Sequence, residues 1–424
     1  MSRLAVKGGS PVRDVKNHPW PKWPVWDERE EKVLLEVLRS GVWSYNGPWE
    51  QQFNEAFARF TGAKCALSIA NGTATLQLAL EACEIGYGDE VIVPGLTWQA
   101  TAAAALDINA VPILVDVTED TWCIDPAKAE AAITSRTRAI IPVHLYGSFA
   151  DMDAILDIAR RHNLKVIEDC AHKHGGEWNG RKAGSLGDIG SFSFQLSKLM
   201  TAGEGGALTT SDPALYERLD ALRNCGRRPE PQAEADKGAG IYGDEGNFIQ
   251  SGNYRLTDFQ AALLLESLQR LPEQNRVRDE NAIHLNKQLS QLPGIQPMRR
   301  DARETAEAYY NFSLRYHKEQ FKGLPVARFR DALAAELGCA IDSSYTPLNA
   351  CSLYAPHTKP WRYKLTDEHW KRIDPTRFKL PVCDRIHREE SVCFHHKVLM
   401  GTKADMDQIV EAIRKIHDSA EGLM

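Results

Sequence analysis

Six short runs that are apolar or nearly so, at residues 91–94, 112–117, 139–144, 165–168, 190–194 and 207–209, interleave with stretches of helical pattern at 73–83, 99–105, 126–133, 151–162 and 213–224. A sheet with one wet face shows alternating polar and apolar residues. A strand apolar on both faces must be covered on both. Strands of that kind set between helices predict an α/β fold with a mainly parallel central sheet flanked by helices. In such sheets the residues that do chemistry gather beyond the carboxyl ends of the strands. Here those ends are residues 94–98, 144–146, 169–172 and 193–198.

The chain's 424 residues allow a large domain and a small one. Before the alternation, Asp27 can cap a helix that Gly41 closes, and a second helix at 50–60 ends at Gly62. After it, helices are expected at 257–271 and from 272 to about 292. A strand at 311–316 and helices at 327–337 and 403–417 follow. This predicts an extended arm over 1–26, a large domain over 27–271 and a smaller α+β domain over 272–424. The arm carries Pro11, Pro19, Pro21 and Pro24 beside Trp20, Trp23 and Trp26. Prolines that dense exclude a helix, and the indoles favour packing onto the body or a second subunit. Residues 228–250, rich in glycine, proline and charge, read as a long loop of the kind that often carries function.

The net charge of −6 argues against nucleic acid as the main partner. No apolar run approaches the roughly 18–20 residues of a membrane span. The first residues lack an apolar signal core, so a cytoplasmic protein is expected. The nine cysteines are scattered without a Cys-x-x-Cys pair, which points to reduced thiols and neither a disulfide frame nor a metal site.

The chemistry centres on Lys198, in Ser193-Phe-Gln-Leu-Ser-Lys-Leu-Met-Thr-Ala-Gly-Glu-Gly-Gly206, about thirty residues after Glu168-Asp169. An amine to hold an aldehyde, an acid for a ring N–H and donors for a phosphate are what pyridoxal 5'-phosphate needs. Asp169 lies nearer the loop end than Glu168 and is the better partner for a pyridinium nitrogen, although an acid after a strand equally serves as a helix cap. Asn71-Gly72-Thr73 precedes a helix whose N-terminus suits a phosphate, with Gly72 and Thr73 as donors and Ser193 as a further one. Trp98 can stack on the ring or sit in the core. His172 can bond a phenolic oxygen or be structural. Asn253 and Arg255 can bind ligand or brace the next helix. His395 and His396 are adjacent, which disfavours a shared metal and leaves one of them to reach substrate hydroxyls.

Together, Asn71–Thr73, 91–98, Pro142-Val-His-Leu-Tyr-Gly147, Glu168-Asp-Cys-Ala171, 193–206 and 252–260 resemble the sugar aminotransferase family named after DegT and StrS, a branch of the aspartate-aminotransferase fold type. The resemblance covers nearly the whole chain. It implies Lys198 as the Schiff-base lysine and Asp169 as the pyridinium partner. Gly72, Thr73 and Ser193 would hold the phosphate, and Trp98 would stack on the ring. Asn253 would reach the cofactor of a second subunit, giving a homodimer with shared sites and pyridoxamine phosphate as the amino form of the cofactor. Tyr345-Thr-Pro-Leu-Asn349 and Lys371-Arg-Ile-Asp-Pro375 look closest to the aminotransferases that use glutamine and scyllo-inosose or 2-deoxy-scyllo-inosose. Tyr345 is then a substrate residue, and the expected reaction is amino transfer from glutamine, or glutamate, to a keto-cyclitol in aminoglycoside-like biosynthesis. The competing expectations are a nucleotide-linked keto-sugar as acceptor, a lyase resembling the aminohydroxybenzoate synthases, whose lysine segment is similar to 198–206, and a cofactor-binding regulator without activity.

Overall fold

The computed structural model describes residues 3–45, 47–227, 248–361 and 366–423. Its centre is a seven-stranded sheet of β1 (Cys65–Ile69), β2 (Glu90–Pro94), β3 (Val111–Val115), β4 (Thr137–Ile140), β5 (Lys165–Asp169), β6 (Ile189–Ser193) and β7 (Gly206–Thr210), in the order β1-β7-β6-β5-β4-β2-β3. From β3 to β6 neighbours run parallel, and β7 runs antiparallel between β6 and β1. Strands β2, β3, β6 and β7 are buried at every position, which is why their sequences carry no polar alternation. β1 is the strand that the sequence reading did not place.

Helix starts follow the chain's own signals. Asp27 caps Glu28–Ser40 with Glu30 closing a capping box, and Asn71, Asp151 and Asp212 each accept a first-turn N–H from the helix they precede. Helix Gly72–Ala82 packs on β6 and β7, so its first residues stand beside the carboxyl end of β6.

The C-terminal part builds an antiparallel sheet of Ile295–Pro297, Asn311–Tyr316 and Ser391–His395, with helices Val326–Leu337 and Lys403–Asp418 against it. The two helices expected to meet at 272 are one, Asp258–Leu289, with Pro272 inside. Proline removes one backbone bond. The helix continues because Leu264, Leu268 and Leu271 are held in the large core while Ala282, Leu285 and Leu289 are held in the small one. The domain boundary expected between 271 and 272 therefore falls inside a continuous helix. Leu348, Leu380 and Ile386, from the C-terminal part of the sequence, pack in the large core.

The arm lies on the body. A 3-10 turn covers Ala5–Lys7, Trp20 is buried under the Arg13 guanidinium and donates to the Leu337 carbonyl, and Trp23 donates to the Leu196 carbonyl. Of the long loop expected at 228–250, residues 228–247 lie outside the described residues. Among the described residues no helix is long and apolar enough to cross a membrane.

Candidate active site

β6 and β7 form a hairpin, closed by the pair Ser193 and Gly206, and its loop carries Lys198. Phe194 N–H donates to the Gly205 carbonyl, the Thr201 hydroxyl donates to the Phe194 carbonyl, and Lys198 N–H donates to the Gln195 carbonyl. Gly203 and Gly205 hold φ of 83° and 152°, which a side chain rarely tolerates. The loop is thus a fixed mount that turns Lys198 inward. Its Nζ lies 4.3 Å from the centroid of the Tyr310 ring. Burial lowers the Lys198 pKa to about 8, against the pull of Asp169 in the other direction.

Asp169 ends β5. Its two oxygens accept from the Thr101 hydroxyl at 2.9 Å and from Ala171 N–H at 3.2 Å. Burial still raises its pKa, with Ala171, Thr101 and Lys198 opposing. A buried carboxylate in that condition lacks positive charge, and a protonated ring nitrogen would supply it. Glu168, one residue earlier, points the other way. Its oxygens take N–H bonds from Gly184, Leu186 and Gly187 and one from His144 Nε2. The choice of Asp169 over Glu168 therefore has a physical basis: Glu168 is saturated by the fold. His144, Glu168 and Cys170 lie close enough together to suggest a metal site. However, His144 Nδ1 accepts from Ala150 N–H and its Nε2 faces Glu168, so the ligand atoms are already engaged.

Aromatic side chains line the space beside Lys198. His172 stacks on Tyr310 at 3.9 Å and 9°, and its Nε2 faces the Tyr345 hydroxyl at 3.3 Å. Burial, then the Lys198 charge, pushes the His172 pKa well below 6.5. Tyr146 holds the group together. Its N–H donates to His172 Nδ1, its carbonyl accepts from Tyr310 N–H, and its hydroxyl accepts from Tyr345 N–H. It does so with φ at 57°, strain of the kind that clusters at functional sites. Trp98, beyond β2, is 46% exposed and leans against Tyr345 at 5.6 Å, leaving a face of the indole open.

Gly72 and Thr73 open the helix that Asn71 caps, where backbone N–H groups lack intrahelical partners. A Cβ on Gly72 would come within 2.6 Å of the Ser193 Cβ, so glycine is what lets the helix end come this close to β6. Asn253 lies across from Asn224 in an isolated bridge, and its side chain accepts from Arg255 N–H. Of the histidine pair, His395 Nδ1 accepts from Lys397 N–H at the start of a 3-10 turn. His396 is fully buried, with Nε2 on the Ser197 carbonyl, so it supports the lysine loop from behind rather than facing the open side.

The sequence thus singled out Lys198, Asp169, Gly72, Thr73, Ser193, Trp98, His172 and Tyr345, and the fold gathers them at one end of the sheet. It gave no sign of Tyr310 or Thr101, and it marked Tyr146 only by its place at a strand end and in the segment 142–147. Tyr310 sits in ordinary apolar context, and Thr101 lies within a helix, Ala100–Asp107.

The arrangement can hold a phosphorylated pyridine ring: acid at the ring nitrogen, amine at the aldehyde, helix end at the phosphate. Comparison with known proteins agrees. The chain is 44% identical, over 97% of both chains, to the L-glutamine:2-deoxy-scyllo-inosose aminotransferase of Streptoalloteichus tenebrarius. It is 45% identical to the L-glutamine:scyllo-inosose aminotransferase of Streptomyces griseus, over 99% of this chain and 98% of that one. The crystal structure of 3-amino-5-hydroxybenzoic acid synthase superposes with a TM-score of 0.79 at 33% identity, covering 93% of this chain and 98% of that one. Residues 24–413 match the sequence pattern of one family, and the chain belongs to the DegT/DnrJ/EryC1/StrS aminotransferase family.

Proposed function

We propose that this enzyme uses pyridoxal phosphate to move the amino group of L-glutamine onto a keto-cyclitol of the scyllo-inosose or 2-deoxy-scyllo-inosose type. The observation that carries the proposal is the pair of buried residues Lys198 and Asp169 at the carboxyl ends of β6 and β5. The donor and acceptor rest on the two relatives that match the chain along nearly its full length.

When bound, the cofactor supplies a ring that draws electrons from the substrate's reacting carbon. The chain's residues do the rest. Asp169 would hold the ring N–H, and Thr101 and Ala171 hold Asp169. Gly72, Thr73 and Ser193 would receive the phosphate. Trp98 would cover one face of the ring, and His172 would donate from Nε2 toward the phenolic oxygen. Lys198, with its pKa near 8 rather than 10.5, is neutral often enough at neutral pH to take the proton from the donor's α-carbon. In the second half it returns a proton to the carbon that receives the amine. Tyr345 stands where a hydroxylated ring would enter, beside Trp98.

We further propose a homodimer in which Asn253 reaches the partner's phosphate. Around it lie exposed Trp43 and Tyr45, with Arg255 over the Tyr45 ring and Trp43 tilted against Phe259, and exposed Trp26, Leu35, Leu38 and Val42 lie close to Trp43 in sequence. An apolar surface of that kind is a docking surface rather than a wet one.

A second reading, a dehydrating and aromatising lyase, is favoured by the likeness to 3-amino-5-hydroxybenzoic acid synthase. Incubating the enzyme with L-glutamine and, in turn, scyllo-inosose, 2-deoxy-scyllo-inosose, a nucleotide-linked keto-sugar and a dehydroshikimate-like amino acid separates them. Formation of an aminocyclitol supports the proposal. An aromatic product alone assigns the lyase reaction.

A further inference from the structure

Two backbone carbonyls immediately precede Lys198, and each is held by a donor from outside the sheet domain. The Trp23 indole N–H, from the N-terminal arm, donates to the Leu196 carbonyl at 2.9 Å. The imidazole of His396, just after the strand Ser391–His395, lies with Nε2 at 3.2 Å from the Ser197 carbonyl. A carbonyl only accepts, so the ring proton of His396 is on Nε2. The two rings also touch: Trp23 sets its edge on His396 with centroids 4.5 Å apart at 86°. A third contact, the Ser197 hydroxyl on the Tyr310 hydroxyl at 2.9 Å, ties the same dipeptide to the aromatic wall.

We propose that Trp23 and His396 are positioning residues for Lys198, so that the N-terminal arm is part of the lysine's mounting. The reasoning is geometric. Leu196 is itself 50% exposed, and its side chain gives the loop little anchorage. Without the two outside donors, the dipeptide before Lys198 is held only by its own turn, through Gln195, and by Tyr310. Displacing a reacting group by about 1 Å can cost on the order of a hundredfold in rate. Burial, and then the charge of the fully buried Arg278, whose guanidinium lies 5.5 Å from the Trp23 ring, keeps His396 neutral.

The role assigned to Lys198 rests on the reading above; the clamp itself does not. The test is Trp23→Phe, which keeps the ring and removes the N–H, together with His396→Ala and His396→Gln, all on the purified full-length holoenzyme. One net hydrogen bond of about 1 kcal/mol corresponds to about fivefold faster amide exchange. Trp23→Phe and His396→Ala should show that increase across residues 194–202. They should lose about tenfold in kcat with KM for the donor within about twofold, and His396→Gln, which restores a donor, should recover most of both. If Trp23→Phe does not fold, the His396 pair carries the test alone. Unchanged exchange over 194–202 overturns the proposal, as does an equal loss in the Ala and Gln variants. Turnover surviving Lys198→Ala would instead remove the catalytic reading and leave the exchange result standing.

Discussion

The backbone N–H of Tyr146 donates to Nδ1 of His172 at 3.2 Å. That one bond decides which way the imidazole works. An N–H cannot accept, so Nδ1 is the bare nitrogen and the ring proton sits on Nε2, aimed at Tyr345 and the open site. A glutamine at 172 can still donate; a phenylalanine cannot. We expect His172→Gln to keep kcat within about fivefold and His172→Phe to lose about ten- to a hundredfold, the value of a hydrogen bond to a developing charge. Steady-state kinetics on both variants checks this.

Thr101 is the second-largest influence that keeps Asp169 ionised, after the N–H of Ala171. Thr101→Val removes the hydroxyl at 2.9 Å from the carboxylate and keeps the volume. The Asp169 pKa then rises further, because one of the bonds that favour its charged form is gone. The acid limb of the pH profile of kcat/KM should move up with it. An unmoved limb would show that Asp169 does not govern it.

Glu168 and Asp169 are adjacent in sequence and differ in role. Glu168→Gln leaves three N–H donors facing a group that can no longer accept from all of them as an anion. We expect a loss of stability of about 2–4 kcal/mol, with kcat within about twofold. Asp169→Asn should do the reverse: a modest change in melting temperature and a loss of kcat of at least about a hundredfold. Calorimetry and kinetics on the two variants separate the roles.

Gly72→Ala tests the phosphate end. The new Cβ would press on the Ser193 Cβ at 2.6 Å. Overpacking of that kind costs about 1–3 kcal/mol, and here it would push apart the helix end and β6, the two elements proposed to hold the phosphate. Cofactor affinity should fall by about ten- to a hundredfold while the circular dichroism spectrum stays unchanged.

His174 gives a pH prediction. It is fully buried, donates from Nε2 to the Ser193 carbonyl, and burial pulls its pKa to about 3. The unfolded chain binds this proton near pH 6.5 and the folded protein does not. The stability associated with a neutral His174 is therefore whole above 6.5 and falls as pH drops toward 3, by about 1.4 kcal/mol per unit. Asp258, pushed up to about 6, acts in the opposite sense near its own pKa, so the difference between variants is the clean measure. Between pH 6.5 and 5, His174→Asn should reduce the slope of unfolding free energy with pH by about that amount.

Much of the fold was legible because the sheet is buried on both faces. Strands β2 to β7 announce themselves as apolar runs, and Asp27, Asn71, Asp151 and Asp212 mark helix starts by capping chemistry that is local in sequence. The continuous helix through Pro272 was not legible, because what overrides proline there is tertiary: two cores gripping one helix. The same division runs through the site. Lys198, Asp169 and Gly72 carry signals in their flanking residues. Tyr310 and Tyr146 act by meeting residues about 25 to 200 positions away, as in Tyr146 with His172 and Tyr345, and although the segment 142–147 puts Tyr146 at the site, nothing around either tyrosine records those partners. The pair His395–His396 was legible as notable but not in role, since burial turns His396 to the Ser197 carbonyl.

The central claim is that Lys198 both carries the cofactor and moves the proton. The direct measurement is the absorbance spectrum of the purified enzyme reconstituted with pyridoxal phosphate, before and after L-glutamine, for the wild type and for Lys198→Ala. The wild type should show a visible band that borohydride fixes covalently at residue 198 and that glutamine bleaches within the turnover time. Lys198→Ala should bind cofactor without a covalent bond, and bleaching should slow by at least about a thousandfold. Bleaching at the wild-type rate in Lys198→Ala, or borohydride labelling at another lysine, would contradict the account.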